Sequence, residues 1–487
     1  MREKRGEMMK KLVCVFLAVL TAAMLFGCSA KTEEGTVRFE QVVNENVQGL
    51  GVEWDAYEHP DVITEEKWER ATAYMDKLSP AYIRCVINLD WVVTNWNKGA
   101  SEDVSDDTWE YNWEQSNIRN MFKILDHCQK SGIRVGLGVW RPVDGWDMQD
   151  SSDVRFAKIM ADIAEELIVS RGYSCIFGLF LTNEPNYLPG NDFQKWSTGV
   201  KNTAAELAAR GLSGKVSIIG PDATSYSAAI TWCEDTVKNV KEHIGNYSIH
   251  MYVSDYSVDS GRFTEDIRDV VNTIEKEDKD FDKKGLIIWE SGLLDGKDPE
   301  WDTNVLIDTF GFGVRMADYT MQAIMGGASG VSFWEFDDAM HFLENGQMKQ
   351  YGMFSSLGTA AQQELRPWFQ SSYLLTRLFA PQSKVYGCSL NSEKDTTLRA
   401  LASVSSDGKT GGYCVVNRGY EEAEETFYLP QKVQGEKLYV YIFGEKDMKL
   451  GADGFIVPNY ELDGSLNGTL TLKIPAGSAV FVTNTKY

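Results

Sequence analysis

Histidine, paired cysteine, positive charge and long apolar runs are what this sequence of 487 residues has least of. Its five histidines, His59, His127, His243, His250 and His341, form neither an HExxH motif nor a spaced Cys/His set. A zinc site is therefore not expected, and a metal-dependent hydrolase is disfavoured. The cysteines include no CxxC pair, which removes dithiol redox chemistry, and Cys85, Cys128, Cys175, Cys233, Cys388 and Cys414 are expected mostly as buried thiols. A formal net charge of -23 opposes binding to nucleic acid or anionic lipid and favours neutral or cationic partners. "GLGVEW" (49 to 54) lacks the third glycine of a nucleotide-binding turn, so nothing calls for a dinucleotide, and no cofactor or metal is expected.

The longest apolar run, 12 to 26, has 15 residues, short of the ~20 that span a bilayer. Arg2, Lys4, Arg5, Lys10 and Lys11 precede it, so residues 1–27 read as a secretion signal. Its close, Leu25-Phe26-Gly27-Cys28, resembles the lipobox of bacterial lipoproteins, although Phe26 is an unusual fill. The resemblance implies lipidation of Cys28, a polar tether over 28–35, and membrane contact only through that anchor, either on the outer side of a bacterial membrane or after secretion.

What the chain does contain, from 49 to about 335, is short apolar runs alternating with longer amphipathic stretches. Strands are expected at 49–54, 81–87, 133–140, 175–181, 216–220, 247–252, 286–290 and 330–336. Helical periodicity fills the gaps, as in 64–79, 154–172 and 192–211, the last two closing on glycine. Eight such units over residues 49–380 predict an α/β fold, a (β/α)8 TIM barrel; a doubly wound open sheet is the alternative. Residues 381–487 turn to β-rich segments parted by Gly, Asn and Asp, which predicts a small antiparallel β-sandwich. Residues 36–48, around "TVRFEQVV", offer that sandwich one further strand.

A barrel of this kind places its site at the C-terminal strand ends. Strand four runs into Asn183 and Glu184 of "FLTNEPN", and strand seven ends on Glu290 of "LIIWES". The two glutamates are 106 residues apart, or about 35 per βα unit, close to the roughly 31 of a barrel of ~250 residues. "NEPN" after strand four and "WES" after strand seven resemble the signatures of glycoside hydrolase clan A, families 5 and 39 above all. The resemblance implies a retaining glycosidase with Glu184 as acid/base and Glu290 as nucleophile, ionised Glu290 holding the proton on Glu184. It also implies that Asn183 binds the sugar 2-hydroxyl, that His250 or Tyr252 contacts the nucleophile, that Arg84 lies beneath it, and that Trp334 is an aromatic platform.

Bland readings stand beside these. His250 is equally a structural histidine, and Arg84 equally half of a buried ion pair. Trp54, Trp91, Trp140 and Trp146 follow strands one to three and are candidates for sugar stacking, Trp140 foremost. Trp289 precedes an inward Glu290 by one residue and is expected to point outward into packing. The expected substrate is a neutral, β-linked poly- or oligosaccharide. The rival is a non-catalytic lipoprotein that captures glycans in the same cleft, and a matched glutamate pair argues against it.

Overall fold

The computed structural model of the chain describes residues 36–57, 64–99, 104–142, 146–188, 192–298, 300, 303–338, 349–355, 364–388, 390, 397–428, 435–464 and 469–487. The signal segment 1–27, Cys28 and the tether to 35 lie outside the described residues.

Eight parallel strands close into a barrel: β1 (Gly49–Glu53), β2 (Tyr82–Ile87), β3 (Arg134–Val139), β4 (Ile176–Phe180), β5 (Ser217–Thr224), β6 (Ile244–Val253), β7 (Leu286–Leu293) and β8 (Gly330–Phe333). Pairing follows chain order, and β8 joins β1 through Gly330 to Gly49. These strands are buried nearly end to end because helices cover their outer side and one another fills the bore. The helices obey their terminal signals. Thr64 and Asp192 cap Glu65–Leu78 and Phe193–Ala209, accepting from the amides of Lys67 and Lys195. Gly172 and Gly211, at φ of +78° and +67°, take the left-handed turns that follow the two expected glycine-closed helices.

Tyr82, Val86, Phe180, Ile219, Ile287 and Trp289 pack together in the bore, with Tyr82 stacked on Trp289 at 5.5 Å. Large rings there require small partners on facing strands. A methyl at Gly136 would sit 2.4 Å from Trp289, so alanine at this position should cost about 1–3 kcal/mol. The outward orientation expected for Trp289 is therefore corrected. A bulge after Ile288, where His250 pairs with Glu290 although Ile249 pairs with Ile288, turns both Trp289 and Glu290 inward.

The second unit is a two-sheet sandwich. Its larger sheet orders 41–44, 384–387, 398–404, 411–417, 478–483, 437–443 and 460–463, and its smaller sheet orders 36–38, 423–428 and 469–474. The leading segment thus gives one strand to each sheet, where the sequence offered only one in all. Val37, Phe39, Tyr413, Val415 and Phe427 fill the space between the sheets. On the opposite face of the larger sheet, Leu401, Cys414, Val416 and Phe481 join the barrel's core. That sheet lies against the helices Phe310–Met325 and Pro367–Leu378. Within this junction the buried Asp318 carboxylate is balanced by Arg399 and by Arg418, whose Nε lies 2.9 Å away.

Candidate active site

Polar side chains end the apolar runs, and barrel closure gathers them in one place. Arg84, fully buried on β2, is the hub. Its Nη1 donates to both carboxylate oxygens of Glu53 at 2.7 and 2.6 Å and to Oε1 of Glu290 at 2.7 Å, while Nη2 donates to Oδ1 of Asn183 at 2.7 Å. The Tyr252 hydroxyl donates to Oε2 of Glu290 at 3.0 Å. His250 Nδ1 lies 3.1 Å from Oε1 of Glu184 and 3.4 Å from Oε1 of Glu290, and its Nε2 lies 3.8 Å from Oδ2 of Asp222.

An oxygen of Glu184, an imidazole nitrogen of His250 and an oxygen of Glu290 all lie within 4.8 Å of one another. That closeness suits a retaining pair, whose carboxyls stand about 5 to 5.5 Å apart, better than an inverting pair about 6.5 to 9.5 Å apart. The three side chains could also ligate a cation by distance alone. Positive charge is already supplied there by Arg84 and His250, both of which face Oε1 of Glu290.

Glu184 is held in an uncommon backbone conformation, φ +43°, with Pro185 directly after it. The surroundings fix it. The Asn183 amide donates to Trp140 O at 3.1 Å, the Tyr187 amide to Glu184 O at 2.8 Å, and Asn186 exchanges two hydrogen bonds with Thr224 at the end of β5, at 2.9 and 3.1 Å. A strained residue pinned on several sides is a common feature of functional sites.

Above these carboxylates opens a cleft of about 900 Å³ lined by Trp140, Asn183, Glu184, Tyr252, Glu290 and Trp334 among others. Trp140 and Trp334 meet edge to face at 6.1 Å, offering flat apolar surface beside the acids. Trp54 is buried between Trp68 and Phe336, Trp91 packs on Tyr57, and Trp146 stacks on Trp96, so of the four indoles after strands one to three the cleft takes Trp140.

Proton placement differs from the sequence expectation. Burial alone would push His250 down, but the charge of Glu290, reinforced by Asp222 and Glu184, lifts it to about 9 and leaves an imidazolium at neutrality. Burial would raise Glu184, yet its bond to that imidazolium and the charge of Arg84 hold it below the usual carboxylate value. Glu290 is raised, chiefly by burial. In the resting site the transferable proton thus sits on His250 beside Glu184, not on Glu184 itself.

Several residues here went unread in the sequence. Glu53 ends β1 just as Glu290 closes an apolar run, and the same rule would have found it. Asp222 was hidden because β5 runs on past the cis Gly220–Pro221 bond to Thr224, beyond the expected end at 220. Asn186, inside "NEPN", carries no spacing signal for its pairing with Thr224.

No curated protein matches the chain. Among solved structures it is similar to the catalytic domain of the GH30 xylanase C from Talaromyces cellulolyticus, with a TM-score of 0.62, 12% identity, and coverage of 92% of this chain and 99% of that one. A monomeric β-xylosidase from Caulobacter crescentus CB15 gives 0.62 at 14% identity over 92% and 99% of the two chains. The GH39 enzyme from Xanthomonas axonopodis pv. citri gives 0.60 at 14% identity over 94% and 99%. These likenesses establish the shared fold. The family model for cellulase, glycosyl hydrolase family 5, matches residues 43–310, more than half of the sequence and the part that holds both glutamates, so the chain is a retaining glycosidase of glycosyl hydrolase family 5.

Proposed function

We propose that the chain cleaves β-linked bonds in a neutral poly- or oligosaccharide by double displacement, with Glu290 as nucleophile and Glu184 as acid/base. The observation that carries this reading is the 4.8 Å cluster of Glu184, His250 and Glu290 at the floor of an aromatic cleft. In the first step a Glu290 oxygen bonds to the anomeric carbon as the glycosidic bond breaks, and the departing oxygen takes a proton from Glu184. His250 Nδ1, 3.1 Å from Glu184, is the source from which that proton reaches the carboxylate. In the second step water attacks the same carbon, gives its proton to Glu184, and frees Glu290.

The other residues have supporting roles in this reading. Asn183, its Oδ1 committed to Arg84, keeps its amide hydrogens for the sugar 2-hydroxyl, and Tyr252 and Arg84 hold the two oxygens of Glu290 apart and oriented. Trp140 and Trp334 supply the walls against which the ring rests. The segment ending at Cys28 supports a lipid-anchored enzyme on the outer side of a bacterial membrane. Loss of radiolabelled-lipid incorporation and of membrane association on changing Cys28 to Ala tests that anchor.

Hydrolysis of a panel of aryl β-glycosides and polysaccharides, with product configuration followed by proton NMR, tests the whole. Two fold neighbours are a xylanase and a β-xylosidase by name, which puts xylosides in the panel beside glucosides. Retained configuration in the first product formed is expected. Inverted product would sink the double displacement, and tight binding without turnover would replace hydrolysis by glycan capture.

A further inference from the structure

Glu53 has no part in the chemistry so far, yet it is the most intimate partner of the arginine beneath the nucleophile. It is 1% exposed and lies in register with Arg84 on the neighbouring strand. Both of its oxygens approach one nitrogen, Nη1, at 2.6 and 2.7 Å, and that same nitrogen serves Glu290 at 2.7 Å. Nη1 has two hydrogens for three acceptor oxygens. What Glu53 takes, Glu290 does not receive.

We infer that Glu53 is a positioning residue for the nucleophile: by drawing the Arg84 guanidinium toward itself it limits how strongly Glu290 is stabilised as a carboxylate, and so keeps Glu290 reactive. This rests on the reading of Glu290 as nucleophile. A carboxylate gripped by an undivided guanidinium is a poorer nucleophile, because forming the glycosyl ester requires it to surrender its charge and its hydrogen bonds. A second carboxylate sharing the guanidinium weakens that grip. It also adds negative charge near a centre that becomes positive in the transition state.

The charges around this pair come from every strand that packs on it. Asp55 lies beyond Glu53 after β1 and bonds the Val86 amide at 2.7 Å, Asp222 comes from β5, His250 and Tyr252 from β6, Glu184 from the turn after β4, and Glu335 from beyond β8. Burial raises both Glu53 and Asp55, the latter to about 8, and the Arg84 charge opposes the rise in each. Both Glu53 oxygens accept from the Arg84 guanidinium, which is the geometry of a carboxylate.

The test follows the ionisation of Glu290 directly. A dinitrophenyl 2-deoxy-2-fluoroglycoside, made from whichever sugar of the aryl panel the wild type hydrolyses fastest, traps the glycosyl-enzyme, and its labelling rate is measured against pH. In Glu53→Gln, close in size but uncharged, Arg84 turns wholly to Glu290. The acid limb should move down by about one pH unit and the limiting rate should fall about tenfold. Glu53→Asp keeps the charge but withdraws it by one methylene, so the same shifts should appear at a smaller size, which also covers a Gln variant that fails to fold. An acid limb left in place in a folded Gln or Asp variant overturns the proposal, because a merely structural Glu53 has no reason to move it. Peptide mapping separates the two readings: a label absent from Glu290 in the wild type overturns the nucleophile assignment itself, whereas a label on Glu290 with an unshifted limb overturns the role of Glu53 alone.

Discussion

The Tyr252 hydroxyl donates to Oε2 of Glu290, the oxygen that Arg84 does not touch. Burial keeps the phenol protonated, so it remains a donor throughout the working range. A bond to the charged form of a carboxylate lowers its pKa. Tyr252→Phe should therefore move the acid limb of kcat/KM upward by about one pH unit. This is opposite in sign to the shift expected at Glu53, and a limb that stays put would detach Tyr252 from Glu290 ionisation.

Glu290→Ala should lower turnover by about 10⁴-fold or more, as removal of a nucleophile does elsewhere. Azide should restore part of the activity by entering the vacated face, and the glycosyl azide formed should have inverted configuration. Near-normal hydrolysis without azide would take Glu290 out of the mechanism.

Glu184→Ala should cut hydrolysis of natural glycans by about 10²–10⁴-fold, the range of general acid catalysis. Formation of the covalent intermediate from a dinitrophenyl glycoside should survive far better, since that group leaves as a stable anion. Breakdown of the intermediate should slow, because Glu184 also takes the proton of the incoming water. Equal losses for good and poor leaving groups would leave Glu184 a structural role only.

His250 gives two pH effects. The alkaline limb of activity should fall toward pH 9, where the proton available to Glu184 is lost, and His250→Asn should displace that limb. For stability, the folded value near 9 exceeds the unfolded value of about 6.5. The contribution is thus complete below pH 6.5 and lost as pH rises through 9. About 3 kcal/mol is at stake, from a shift of roughly 2.5 pH units. Thermal melts of the wild type should decline across that window, and a flat profile would show that His250 is neutral in the folded protein.

The fold was legible where local pattern and tertiary demand coincide. Eight apolar runs gave eight strands, and Glu184 could be found because a strand that ends on Asn-Glu-Pro has no packing reason to do so. The features that escaped depend on contacts between distant segments. Trp289 faces the bore because a bulge shifts the register of β7 against β6, and period-two alternation cannot foresee an inserted residue. Asp278 lies in the charged run "DKDFDKKG", whose local pattern suits a surface, but it is buried beneath Tyr247 and Lys284, both bonded to it at 2.6 Å. The resting proton on His250 was out of reach for a similar reason. It depends on three carboxylates and an arginine drawn from four strands and their ends, and no spacing along the chain encodes their distances.

The sandwich is closed by both ends of the described chain, since 36–38 and 41–44 lie in its two sheets beside strands from 384 onward. During synthesis the first two strands emerge some 340 to 390 residues before their partners, so they wait unpaired while the whole barrel is made. The barrel helices Phe310–Met325 and Pro367–Leu378 meanwhile show water the apolar side later covered by Leu401, Val416 and Phe481. A ribosome-bound or C-terminally clipped intermediate would therefore carry two sticky surfaces at once, loose strand edges and a bare helical face. This makes completion of the last hundred residues the step that commits the enzyme to solubility.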